Sequence, residues 1–96
     1  MVVNKLLREI KNFLAGNIEA AQFAAEFNSL FFGNVEALEK ESFEVYDVLY
    51  DDDFIELLPE FEAGNKKMEN ALRKKTAEVY FKALALLPVD QIKQAI

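Results

Sequence analysis

Two apolar stripes of helical period, set a short turn apart, constrain this chain more than any other feature in it. Val3, Leu6, Leu7, Ile10, Phe13 and Leu14 recur three and four residues apart, which gathers them on one face of a helix over residues 2–14. Gly16 suits the position just past its end, where a left-handed backbone costs a glycine little. A second stripe follows at once in Ala20, Phe23, Ala24, Phe27, Leu30 and Phe31, and Gly33 closes it. With Glu19 as its cap, Gln22 stands at the third helical position, a weak capping box, and Ile18 faces Phe23 at the spacing of a hydrophobic staple. Two helices joined so closely are expected to fold back as an antiparallel hairpin.

The remainder is read the same way. Residues 34–41 leave a helical turn and a loop both open, because only Val35 and Leu38 offer anything to bury. Ser42 suits the N-cap of a third helix over about 43–51, with Phe43, Tyr46, Leu49 and Tyr50 as its stripe. One of Asp51, Asp52 and Asp53 is expected to cap a short further turn over 54–58, which Pro59 stops. Residues 66–87 read as a long fourth helix carrying Met68, Leu72, Val79, Ala83 and Leu86 on period, with Thr76 as an interruption. Its bases, Lys66, Lys67, Arg73, Lys74, Lys75 and Lys82, lie largely off that stripe, and Glu69–Arg73 and Glu78–Lys82 have helical pair spacing. Pro88 closes it, and Asp90 could cap a last turn over 91–96. The expected fold is all-α: a small antiparallel four-helix bundle, one domain over 1–96, with a short interruption after helix three.

A chain of 96 residues, 52% hydrophobic and with nine Phe, has the material for one packed core. It has neither Cys nor His. Disulfides, thiolate metal sites and thiol nucleophiles are therefore excluded, and acid–base catalysis near neutral pH would need a shifted carboxylate or lysine. No enzyme is expected, and no cofactor. Lys5, Arg8, Glu9 and Lys11 break the apolar pattern of the first helix, so it reads as amphipathic and not as a signal sequence. No stretch reaches the ~20 apolar residues of a membrane span.

Charge is where the chain departs from a generic bundle. The net −6 is not spread evenly: residues 36–62 hold eleven carboxylates against the single Lys40. Six of those acids fall in YDDDFIELLPEFE, residues 50–62, interleaved with Phe54, Ile55, Leu57, Leu58 and Phe61. A calcium loop needs alternating oxygen ligands and a glycine at its sharp turn, and this run has neither. One Asp as a cap and the rest as solvated charge would be the plain structural reading. Yet close like charges each cost a few tenths of a kcal/mol, so a surface for a basic partner stands beside plain solubility as the second reading, and the residues alone leave both open. The rival site is the basic run of residues 72–82; a chain of net negative charge disfavours nucleic acid there, and a solvated face explains it. Tyr46 and Tyr50 stand on or beside the acidic segment, and tyrosine is enriched at binding hot spots. The other aromatics read mostly as core.

The pattern resembles the colicin D-type immunity proteins. Phe13, Leu14, Gly16, Ile18 and Phe23 fall where that family has a phenylalanine-leucine, a glycine, an isoleucine and a phenylalanine. EVYDVLYDDDFIEL, residues 44–57, looks like its acidic stretch, and residues 66–87 like its last long helix. The likeness spans roughly residues 3–87. The family often has Ser where Glu19 stands here, and its aspartates tend to alternate with an apolar residue where Asp51, Asp52 and Asp53 are consecutive. The resemblance implies a cytoplasmic bacterial protein that neutralises a nuclease toxin, typically one cutting transfer RNA, one toxin domain per chain. It implies contact through Asp51, Asp52, Asp53 and Glu56, flanked by Asp47, Glu60, Glu62, Tyr46 and Tyr50. Which of the three consecutive aspartates carries the key contact stays open. An acidic adaptor or regulator of another basic protein is the alternative; direct nucleic-acid or membrane binding is not expected.

Overall fold

A computed structural model describes residues 2–90 and 92. Among them are six helices and no strand: α1 (Val2–Leu14), α2 (Ala20–Phe32), α3 (Val35–Glu41), α4 (Phe43–Leu49), α5 (Asp52–Glu60) and α6 (Lys66–Ala85). The class is all-α as expected, with six helices where four were expected.

The first two helices are where the periodicity put them. Gly16 takes φ +84°, and Val3, Leu6, Leu7, Ile10 and Phe13 are buried on α1. On α2 the buried set is Ala20, Phe23, Ala24, Phe27 and Phe31, with Leu30 half-buried. Glu19 is the N-cap residue, but the capping box does not form: the Glu19 side chain makes no cap bond, and Gln22 donates from Nε2 to Glu26 at 2.9 Å. Gly33 ends α2 in a right-handed conformation.

Residues 34–41, left open by the sequence, form α3. It buries only Leu38, and Glu41 at its end reaches back to the start of the chain. The Glu41 Oε2 accepts the Val2 N–H at 2.9 Å and the Val3 N–H at 3.5 Å, satisfying first-turn donors of α1 that no intrahelical carbonyl can reach. Ser42 caps α4, accepting the Val45 N–H at 3.3 Å. The expected stripe on α4 holds only in part: Leu49 is buried and Tyr46 half-buried, but Val45 joins Leu49 in the core while Phe43 and Tyr50 face outward. Seven residues make two turns, too few for periodicity to choose between two candidate faces, and the smaller apolar pair fits the seam against α6. Pro59 does not stop α5 but lies inside it, one residue before its end, so the helix closes at Glu60. On α6 the buried face is Leu72, Thr76, Val79, Tyr80 and Ala83, so Thr76 is part of the core; Met68 is half-buried and Leu86 exposed. The helix ends at Ala85, ahead of Pro88. Asp90 does not cap a last turn: Val89 and Asp90 are already helical, and the Ile92 N–H donates to the Pro88 carbonyl at 3.0 Å, so the turn begins at Pro88; the rest of the turn expected over 91–96 lies outside the described residues.

Packing links α1 to α2, α2 to α5, α5 to α6 and α6 back to α1, a closed cycle around one core, while α4 lies against α6 and α3 against α1 and α4. A phenylalanine ladder fills the centre. Phe13 stacks on Phe23 with centroids 4.3 Å apart and planes 5° from parallel; Phe23 meets Phe27 at 5.3 Å, and Phe27 meets Phe54 of α5 at 5.4 Å. Burying each such ring contributes about 1.5–3 kcal/mol. Arg73 of α6 closes the ladder, its guanidinium 4.4 Å above the Phe13 ring. It donates to the Phe13 carbonyl at 3.0 Å and pairs with Glu69 at 3.5 Å, placing a cation at the C-terminus of α1 on a carbonyl that also accepts the Gly16 N–H at 3.0 Å.

Candidate functional site

The acidic segment is a short helix with two different sides. Its start is fixed by Asp51, whose side chain accepts the Phe54 N–H at 3.1 Å. Phe54 and Leu58, one turn apart, are buried and hold α5 to the core, with Ile55, Leu57 and Phe61 half-buried beside them. Asp52, Glu56 and Glu60 follow at four-residue spacing on the opposite side, with Asp53 next to them, and all four are exposed. The segment thus keeps its apolar groups and its charges apart by helical geometry alone. Glu62, exposed as well, lies beyond the helix in the turn to α6, where its carbonyl accepts the Asn65 N–H at 3.1 Å.

Asp51 differs from its neighbours. Besides capping α5 it pairs with Lys75 of α6 at 3.3 Å, and Lys75 also reaches Glu78 at 3.3 Å. Burial alone would push the Asp51 carboxyl up, but the Phe54 N–H and the Lys75 ammonium outweigh it and hold the carboxyl below its ordinary value. Burial likewise opposes the charge on Lys75, and Asp51 and Glu78 overcome it, raising the lysine above its ordinary value. Lys75 was read as solvated charge; it is the counter-ion of the acidic helix. Glu78 pairs with it rather than supporting the expected i,i+4 contact with Lys82. Among the described residues no cluster of carboxylates converges into a cation site.

The second group lies on α4. Tyr46 is half-buried, and its ring lies parallel to that of buried Phe31 with centroids 6.2 Å apart. Tyr50 touches Phe31 at 6.0 Å, Phe32 at 6.3 Å and Tyr46 at 5.6 Å, and Phe43 joins through Tyr46 at 5.9 Å. Phe32, Phe43 and Tyr50 remain 44%, 59% and 44% exposed, so three large rings form one outward patch rooted on a single buried phenylalanine. Burial first, then the charges of Glu39, Tyr50 and Asp47, holds the Tyr46 hydroxyl above its usual value. Asp47 itself is exposed.

The nine residues singled out by the sequence therefore divide. Asp52, Asp53, Glu56 and Glu60 form one outward face; Tyr46, Tyr50 and Asp47 belong to the aromatic patch on α4; Glu62 is in a turn; Asp51 is occupied within the fold. Helix α2 connects the groups, since Phe27 touches Phe54 and Phe31 carries Tyr46 and Tyr50. Phe32 and Phe43 were missed as surface residues. The signal for Phe32 was its place one residue after Phe31, which turns it off the buried face of α2.

No helix among the described residues is long and apolar enough to cross a membrane. No known protein family, curated protein or solved structure matches the chain.

Proposed function

We propose that this chain is an immunity protein that binds and neutralises a cognate nuclease toxin, its acidic surface standing in for the phosphates of the toxin's RNA substrate. The observation that carries the reading is the outward face of α5. Asp52, Asp53, Glu56 and Glu60 are held on a helix that Phe54 and Leu58 anchor in the core. A nuclease grips its substrate with Lys and Arg in a cleft, and a preformed row of carboxylates fits that cleft without first being ordered. Electrostatic steering of such a pair can lift association to ~10⁸ M⁻¹s⁻¹ or more at low salt. The resemblance to colicin D-type immunity proteins supports the same partner, in bacterial cytoplasm, one toxin domain per chain, with no cofactor and no catalysis by this chain. In this reading an antiparallel four-helix bundle is made of α1, α2, α5 and α6, with α5 in the place expected for the helix over 43–51 and with α3 and α4 as an insertion.

The geometry refines the contact set. Asp52, Asp53, Glu56 and Glu60 are the central contacts, with Asp47, Tyr46, Tyr50 and Glu62 flanking. Asp51 acts from behind, by starting α5. The test is inhibition of the purified toxin domain at equimolar ratio. Full inhibition, lost when Asp52→Asn, Asp53→Asn and Glu56→Gln are combined, supports the proposal. A toxin left active by the unaltered protein sinks it, and capture of a different basic protein would leave the adaptor reading in its place.

A further inference from the structure

We propose that Phe32, Phe43, Tyr46 and Tyr50 form the apolar centre of a protein-docking surface that takes arginine side chains of a basic partner. The inference deepens the reading above, in which that partner is the nuclease, and it moves the centre of the interface from the acids to the rings.

Three large rings, each at least 44% exposed, with Phe32 against Tyr50 and Phe43 joined to Tyr50 through half-buried Tyr46, are unusual for a helix face with nothing packed on it. α4 lies against α3 and α6 on its other sides, so Phe43, Asp47 and Tyr50, spaced four and three residues apart, line an unpartnered face. The surroundings choose the occupant. Glu44 and Asp47 are exposed on the same short helix, Glu39 is exposed on α3, and residues 36–62 hold eleven carboxylates with Lys40 as their only base. An anionic membrane surface or nucleic acid would be repelled. A second copy would bring the same charge to the same place, so self-pairing through this face is opposed too. What remains is a cationic protein surface able to cover aromatic rings.

Arginine meets that requirement better than lysine. Its planar guanidinium can lie on a ring and still direct two N–H groups edgewise at a carboxylate, whereas an ammonium is a compact and strongly hydrated charge. The fold already uses the combination once: Arg73 lies 4.4 Å above Phe13 while its Nε pairs with Glu69 at 3.5 Å. Phe43 and Asp47, one turn apart and both exposed on α4, offer the same pairing of ring and carboxylate outward, without the arginine.

The test is a titration of the isotope-labelled protein with two short peptides, acetyl-Gly-Arg-Gly-Arg-Gly-amide and its lysine counterpart, followed by amide chemical shifts at low salt. The expected result is that shifts gather around residues 32, 43, 46, 47 and 50. The arginine peptide should bind about two- to fivefold more tightly than the lysine peptide, and Phe43→Ala or Tyr50→Ala should remove the difference while leaving the remaining spectrum in place. Shifts confined to residues 52–60, or equal binding of the two peptides, overturn the inference. So does concentration-dependent broadening of the patch without peptide, which would make it a dimer face. None of these failures touches toxin inhibition, which is measured separately. Conversely, arginine binding at the patch with no inhibition of the toxin would keep the surface and discard the nuclease.

Discussion

Three consecutive aspartates of identical chemistry are assigned different jobs, and substitution separates them. Asp51 satisfies an orphan N–H of α5 and meets Lys75; Asp52 and Asp53 are exposed in the first turn of the same helix. Asp51→Ala removes the cap, a loss of about 1 kcal/mol, together with the contact to Lys75. For a domain of this size 1 kcal/mol corresponds to roughly 4–8 °C in Tm. Asp51→Asn keeps an oxygen for the Phe54 N–H and gives up only the charge, so its cost should be well below that of the alanine variant. Asp52→Asn and Asp53→Asn relieve like-charge repulsion while giving up some attraction to the helix N-terminus, and should fall within about 0.5 kcal/mol of zero. Thermal and urea unfolding followed by circular dichroism at pH 7 measure all four. The Asp51 carboxyl is held below its ordinary value, so its contribution is fully present above the unfolded pKa and is lost as pH falls through the lower, folded one. The gap between Asp51→Asn and the unaltered protein should accordingly close in acid. Equal losses at all three positions, or an Asp51→Asn as damaging as Asp51→Ala, would refute the assignment.

Other consequences follow from groups away from the acidic helix. Thr76 is fully buried and its hydroxyl has no hydrogen-bond partner, so Thr76→Val should stabilise by about 1 kcal/mol in urea unfolding; a loss would mean that the hydroxyl is satisfied. Glu41→Ala strips the acceptor from the Val2 N–H and should cost about 1 kcal/mol, with faster amide exchange in the first turn of α1 and unchanged exchange in α6. Glu9 is pushed up to about 6, first by burial and then by the hydrogen bond and charge of Glu26. Its folded pKa lies above its unfolded one, so its contribution is fully present below pH 4.5 and is lost as pH rises through about 6. Glu9→Gln, a permanently neutral donor to Glu26, should therefore raise Tm at pH 7.5 and leave it nearly unchanged at pH 4.5; the opposite order would show that the two carboxylates do not share a proton.

How far the sequence reached is set by the length of each signal. The stripes of α1 and α2 run over several turns, and only one face of each could be buried, so both helices and their core residues were legible. The Ser42 cap and a capping aspartate before Phe54 were legible because an oxygen side chain ahead of an apolar run has one main structural use. α3 was not, since it buries a single leucine and is held by what Glu41 and Leu38 touch elsewhere in the chain. α4 was legible only at Leu49, because elsewhere aromatic size outweighed fit: Phe43 and Tyr50 look like core, whereas Val45 takes the place beside Leu49 in the space that α6 leaves. At the site, the outward face of Asp52, Glu56 and Glu60 follows from helical spacing. The withdrawal of Asp51 by Lys75 does not, because twenty-four residues separate the pair and no local pattern joins them. The aromatic patch was hidden for the same reason, being assembled from α2 and α4.

The central claim is that this chain disarms a nuclease. The direct measurement is to express the C-terminal domain encoded by the reading frame immediately upstream, with and without this protein, and to score growth and cleaved transfer RNA. Toxicity and cleavage that this protein abolishes, and that return with the combined Asp52→Asn, Asp53→Asn and Glu56→Gln substitutions, are the expected result. Cleavage that continues unchanged in the presence of the folded protein would contradict it.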